Sequence, residues 1–86
     1  MNSNYKICYD ESICGKYMVD TEVDPLALRV APGTQHPIIY YMPTCSEFEA
    51  YGFVDEKGGW YYGEWLLDGR NPVGWCKAEY LTRICG

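Results

Sequence analysis

Basic residues are scarce in this chain. Seven Lys and Arg stand against twelve Asp and Glu, for a formal net charge of −5 over 86 residues. No local cluster of cations offsets that excess, so phosphate backbones are repelled and nucleic-acid binding is disfavoured. Electrostatic docking on an anionic membrane is disfavoured for the same reason. No run approaches the roughly 20 apolar residues of a transmembrane span, so no membrane insertion is expected. The first twenty residues lack a basic segment followed by an apolar run, and no signal peptide is expected.

Residues that carry chemistry are equally few. His36 is the only histidine and stands before Pro37 in a turn. A dyad of His36 with Cys45 would have no orienting motif, no oxyanion-type glycine loop and no second base beside it. Glu47 and Glu49 share one strand face, a pattern that usually marks a solvated surface. No Cys-x-x-Cys pair occurs among Cys8, Cys14, Cys45, Cys76 and Cys85, and their spacing resembles no zinc module. The expectation is a chain with no catalytic residue, no metal and no cofactor. An odd cysteine count leaves at least one thiol unpaired in a monomer, and without a signal peptide all five are expected reduced. The Cys8/Cys14 and Cys76/Cys85 spacings permit bridges that spacing alone does not assign.

Large apolar side chains, by contrast, are abundant. Apolar residues make up 48% of the chain, and nine Tyr, three Trp and two Phe bring the aromatic share to 16%. A chain this short buries only roughly 60–65% of the surface its unfolded form exposes. Each aromatic can bury on the order of 150–250 Å², so a few of them suffice for one small core. With nine Gly and five Pro as turn punctuation, the composition favours an all-β class.

The order of the residues agrees. Residues 1–15 are polar and read as a loose arm or linker, although Tyr5, Ile7 and Tyr9 alternate as a short extra strand would. Tyr17, Val19, Thr21 and Val23 alternate with Met18, Asp20 and Glu22, which suits a strand with one face on a core. Asp24-Pro25 interrupts it. Short strands follow over 26–29, 38–42, 46–54, 60–67, 73–77 and 81–84. The turns between them are Ala31-Pro32-Gly33-Thr34, Asp55-Glu56-Lys57-Gly58-Gly59 and Asp68-Gly69-Arg70-Asn71, with a tight turn over 78–80. No helical period persists, which points to a small barrel or sandwich.

Three segments in order resemble bacterial Src-homology-3 domains. Leu26-Ala27-Leu28-Arg29-Val30-Ala31-Pro32-Gly33-Thr34 is similar to that family's opening motif, although Ala27 replaces the usual Asn. Gly59-Trp60-Tyr61 resembles its central-strand start, and Gly74-Trp75-Cys76-Lys77-Ala78-Glu79-Tyr80-Leu81 its closing motif. The resemblance implies a small Src-homology-3-like barrel of five to six mostly antiparallel strands over residues 16–86. It also implies attachment: such domains accompany peptidoglycan hydrolases and bacterial or phage surface proteins, where they bind cell-wall peptide or glycan. The eukaryotic Ala-Leu-Tyr-Asp-Tyr motif is absent, so proline-rich peptide recognition is not implied.

The expected core is Val19, Leu28, Ile38, Phe48, Ala50, Trp75 and Leu81. Adjacent rings in a strand must face opposite ways, so some of Tyr40, Tyr41, Trp60, Tyr61 and Tyr62 lie outside it. The candidate ligand-binding residues are Tyr40, Trp60, Tyr62 and Tyr80, with Glu64 or Glu79 meeting a ligand amine. The alternative is that outward rings simply cover cross-strand neighbours. Arg29 is expected to tether the loop over 30–37 by its planar fork. Two functions stay open. One is a cell-wall-binding module attached to a hydrolase, located at the wall. The other is an intracellular protein-interaction domain, favoured by the thiols and the missing signal peptide.

Overall fold

The computed structural model describes residues 6–67 and 69–85. Among them eight strands form one antiparallel sheet: β1 (Ile7–Tyr9), β2 (Gly15–Val19), β3 (Leu26–Arg29), β4 (Ile38–Met42), β5 (Glu47–Asp55), β6 (Trp60–Trp65), β7 (Val73–Lys77) and β8 (Leu81–Cys85). The path runs β4-β3-β7-β6-β5-β2-β8 and is open, with β1 pairing on β5 beyond β2. The all-β class expected from turn-bounded alternation is what the structure shows, with seven strands, β2 to β8, where five to six were expected, and β1 before them.

The nine-residue β5 is long enough to hold two partners end to end along one edge. Residues 47–50 pair with β2, and residues 53–55 pair with β1. Between them the ladder slips at Gly52, whose φ of +106° suits glycine alone. A Cβ there would lie 2.6 Å from the Tyr9 ring and 2.9 Å from Cys14 Sγ. Residues 7–15 are therefore bound into the sheet and do not form a loose arm; the alternation of Ile7 and Tyr9 was the informative signal. Tyr5 lies outside the described residues. A single 3-10 turn (Glu11–Ile13) is capped by Asp10, which accepts from the Ser12 amide, and it buries Ile13.

The far end of the chain locks this turn in place. Arg83 of β8 donates to the carbonyls of Ser12 (2.8 Å) and Cys14 (2.6 Å) and to the Tyr17 hydroxyl (3.1 Å). Tyr17 in turn donates to the Ile13 carbonyl at 2.7 Å. Burial of the Tyr17 ring raises its phenol pKa, although the Arg83 charge works the other way.

Alternate residues of β2, β3 and β5, with Met42 of β4 and Cys76 of β7, fill the interior. Val19, Leu28, Met42, Phe48 and Cys76 are fully enclosed, with Leu26, Ala50 and Val54 around them. Of the expected core, Val19, Leu28, Phe48 and Ala50 are in this cluster, and Leu81 packs against it half-buried. Ile38 is a correction: it is 37% exposed, because β4 ends the sheet path and Met42 is its inward residue. Trp75 is buried but stands outside the main cluster. Its strand neighbours Gly74 and Cys76 face inward, so the indole lies on the outer face beside Tyr62, with centroids 5.3 Å apart.

The strand expected over 17–23 stops at Val19, since Ser46 and Cys45 take up the Val19 backbone groups. The chain then leaves the sheet, and Val23 is 88% exposed.

A row of small residues crosses the middle of the sheet, Ala50 opposite Gly63 and Gly63 opposite Gly74. An added Cβ at Gly63 would fall on the Glu49 carbonyl oxygen, and at Gly74 it would lie 2.8 Å from the Arg29 oxygen. Gly63→Ala should therefore cost upwards of about 2 kcal/mol by overpacking against backbone that cannot yield. Gly59→Ala, which meets nothing within 4 Å, should leave the denaturant midpoint nearly unchanged. Equal midpoints for the two variants would refute the close approach.

Cys8, Cys14, Cys45 and Cys76 are free thiols, with Cys8 and Cys45 exposed and Cys76 buried. Burial alone pushes the Cys76 thiol far above its ordinary range. In a thiol-labelling time course, Cys8 and Cys45 should react promptly and Cys76 only at the rate of global opening. Prompt reaction of Cys76 in the native protein would contradict its placement.

Candidate functional site

Two depressions meet at Tyr80. The larger, about 590 Å³, is bordered by the loop after β2, with Asp20, Glu22 and Asp24 contributing carboxylates and Thr21, Val23, Pro25 and Leu26 the rest of its wall. The smaller, about 160 Å³, is lined by Trp60, Lys77, Arg29, Ala27 and Thr34. Pro25, Leu26 and Tyr80 belong to both, so the two form one continuous furrow, acidic at one end and aromatic and basic at the other.

Backbone hydrogen bonds assemble it. Asp55 ends β5 and its carboxylate accepts from the amides of Gly59 and Trp60, each at 2.8 Å. With Gly58 at φ +79°, this fixes the hairpin and the start of β6, and so the Trp60 side chain. The Gly59 carbonyl then accepts from the Ala78 amide at 2.9 Å, which holds the 3-10 turn Ala78–Tyr80 against the hairpin. The Tyr80 carbonyl accepts from Asp20 at 2.8 Å, bringing the acidic loop alongside. Thr82 donates to the Asp20 carboxylate at 3.2 Å. The Thr21 amide donates to Thr44 Oγ1 at 3.2 Å, and Thr44 donates onward to the Val19 carbonyl.

Arg29 behaves as the expected tether. Its Nη1 donates to the carbonyls of Thr34 (3.0 Å) and His36 (2.8 Å), closing the loop between β3 and β4. That leaves the Lys77 ammonium as the more available cation at the basic end.

The six residues singled out from sequence fall in three places. Trp60 and Tyr80 share the furrow, and Glu79 lies at its edge, where its carboxylate raises the Tyr80 phenol pKa. Tyr62 belongs to a packed aromatic layer on the outer face, with its ring 5.7 Å from Tyr51, 6.3 Å from Phe53 and 5.3 Å from Trp75. Glu64 serves that layer, accepting from the Tyr51 hydroxyl at 2.7 Å. Tyr40 pairs with Leu28 and packs its ring 6.1 Å from Trp65, away from both groups. Sequence reasoning passed over the carboxylates of the β2–β3 loop and Lys77. The loop was masked by its own alternation, which read as strand. Among the described residues, no cluster of His, Cys, Asp and Glu is arranged to hold a metal ion.

No family model, no curated protein and no solved structure matches this chain.

The Tyr51–Glu64 pair gives a pH signature. Burial, then the hydrogen bond to the Glu64 carboxylate, pushes the Tyr51 phenol from 10.0 to about 12. Below the lower value Tyr51 is protonated whether folded or unfolded. Between the two values it ionises only on unfolding, so the unfolded state binds fewer protons and stability falls as pH rises. Tyr51→Phe should flatten the alkaline loss of melting temperature between about pH 10 and 12. An unchanged alkaline slope would show that the pair does not govern it.

Proposed function

We propose that this chain is a non-catalytic binding module of the Src-homology-3-like barrel type, holding an extended peptide along the furrow that crosses Tyr80. The observation that carries the reading is the meeting there of an acidic depression and an aromatic, basic one. A ligand with an amine and a carboxylate several residues apart would set its ammonium among Asp20, Glu22 and Asp24. Its carboxylate would face Lys77, and its backbone would lie across Tyr80 and Trp60. Charge-assisted contacts of that kind are roughly twice as strong as neutral ones, and the rings supply sequence-tolerant stacking area.

The barrel assignment rests on the close backbone approaches at Gly63 and Gly74, together with the three motifs in register. Cell-wall peptide fits the polarity of the furrow, because a stem peptide with a diamino acid carries both charges. On this reading the expected amine partner is the Asp20–Glu22–Asp24 loop, with Glu79 at its border, in place of Glu64. The same furrow would serve a lysine-bearing segment of an intracellular protein, the reading favoured by a thiol-rich chain.

Sedimentation with purified cell-wall sacculi tests the proposal. Trp60→Ala combined with Tyr80→Ala should lower the bound fraction by about tenfold or more while circular dichroism stays native. Lys77→Glu and Asp24→Lys should each weaken binding, and more so at low salt. Tyr62→Ala should act mainly on stability, since that ring covers Trp75. A wild-type protein that does not sediment with sacculi from any bacterial host sinks the cell-wall ligand. An aromatic double variant that sediments as well as wild type sinks the furrow.

A further inference from the structure

A second surface is independent of the furrow. Strand β4 ends the sheet path, and among the described residues only β3 pairs with it. Its five residues, Ile38-Ile39-Tyr40-Tyr41-Met42, are all apolar or aromatic, and the first four are exposed. An open strand edge presents a row of backbone donors and acceptors that another strand can complete. Natural edges are commonly guarded by a charge, an internal proline, a bulge or very short length; β4 has a one-residue slip against β3 at Ile39 and none of the others. The strand at the other end of the path, β8, carries Arg83, while β1 is only three residues long.

We infer that β4 is the self-association edge of this protein, pairing antiparallel with the β4 of a second copy to join two sheets into one. The charge distribution selects a second copy as the occupant. The chain as a whole carries −5, which opposes the approach of two copies on most faces. From Val30 to Ser46, however, the sequence contains no Asp, Glu, Lys or Arg, so this margin is where like molecules meet without repulsion. An antiparallel edge is also complementary to itself about a two-fold axis.

The register follows from the prolines. Pro37 and Pro43 bound the strand and lack an amide donor, so all five residues of both copies pair only when Tyr40 lies opposite Tyr40. Ile39 then faces Tyr41 of the other copy, a β-branched and aromatic pair that favours cross-strand contact, and Ile38 lies opposite the enclosed Met42.

Sedimentation equilibrium of the full chain over a concentration series should show a monomer–dimer equilibrium. Tyr40→Lys sets two like charges directly opposite each other and should weaken the dimer by about tenfold or more; Tyr40→Glu should do the same. Mixing the two variants in equal amounts should restore association, because Lys then faces Glu. As a readout that needs no variant, amide exchange at residues 38–42 of the wild type should slow as protein concentration rises. A wild type that stays monomeric throughout, with exchange in β4 independent of concentration, overturns the inference. So does a dimer that survives both charge variants undiminished, which would place association on another surface.

Discussion

The structure turns on three small residues in a row. Ala50, Gly63 and Gly74 lie side by side on β5, β6 and β7, and the space their side chains leave is filled by backbone. The Glu49 carbonyl stands where a Gly63 Cβ would be, and the Arg29 carbonyl and Leu28 side chain press on Gly74. A pleated sheet with full side chains along that row would be held flatter, since inward Cβ atoms on neighbouring strands hold it open. Without them the backbones approach closely, β3 lies paired beside β7, and Leu28 and Cys76 are sealed inside with no exposure at all. The furrow depends on the same close approach, because β3 carries Ala27 and Arg29 to one side of it while β6 and β7 carry Trp60 and Lys77 to the other.

Locality decides which features could be read from the sequence. Turn chemistry is local, so Asp55, Gly58 and Gly59 announced their hairpin, and the 3-10 turn over Ala78–Tyr80 fell where a tight turn was expected. Inward alternation along β5 was equally plain, with Phe48, Ala50 and Val54 all buried. What local pattern does not encode is a strand's position in the sheet. The continuous apolar run of β4 looks like a strand covered on both faces, yet it lies at the edge, and Ile38 is accordingly exposed. Alternation through Thr21 and Val23 promised two more residue pairs for β2. The backbone of Val19 was already claimed by the β4–β5 connection, and the remainder became the acidic loop. Trp75 was legible as buried but not as belonging to the outer face, which only the inward placement of Gly74 and Cys76 decides.

The candidate site was half legible for a related reason. Trp60 and Tyr80 are far apart in sequence, and the Gly59–Ala78 backbone hydrogen bond brings their segments together. The Gly59-Trp60-Tyr61 and Gly74–Leu81 segments draw attention to both residues, yet nothing in them points to Asp20, Glu22 and Asp24, whose importance is positional. One hydrogen bond from Asp20 to the Tyr80 carbonyl makes these carboxylates neighbours of the furrow.

An excess of aromatic residues over core demand does not by itself mark a ligand groove. Here most of the surplus forms a second packed layer on the outer face, running from buried Trp75 through Tyr62 to Tyr51 and Phe53, and on to Tyr9. Edge-on contacts of this kind contribute about 0.5–1.5 kcal/mol each beyond their buried area. They stiffen the three central strands and pin β1 to β5 through the Tyr9–Phe53 pair. Tyr62 at the centre of the layer presents little of its face to a ligand, because Tyr51, Phe53 and Trp75 pack around it, while Tyr9 and Phe53 at its margin stay exposed. Trp60 and Tyr80 differ on this point. They border open space, carboxylates lie on one side and an ammonium on the other, and among the described residues no ring contact links them to the layer. The choice between structural and ligand-facing rings rests on what each ring already touches and on the space beside it: Tyr41 is exposed too, but only Trp60 and Tyr80 border the furrow.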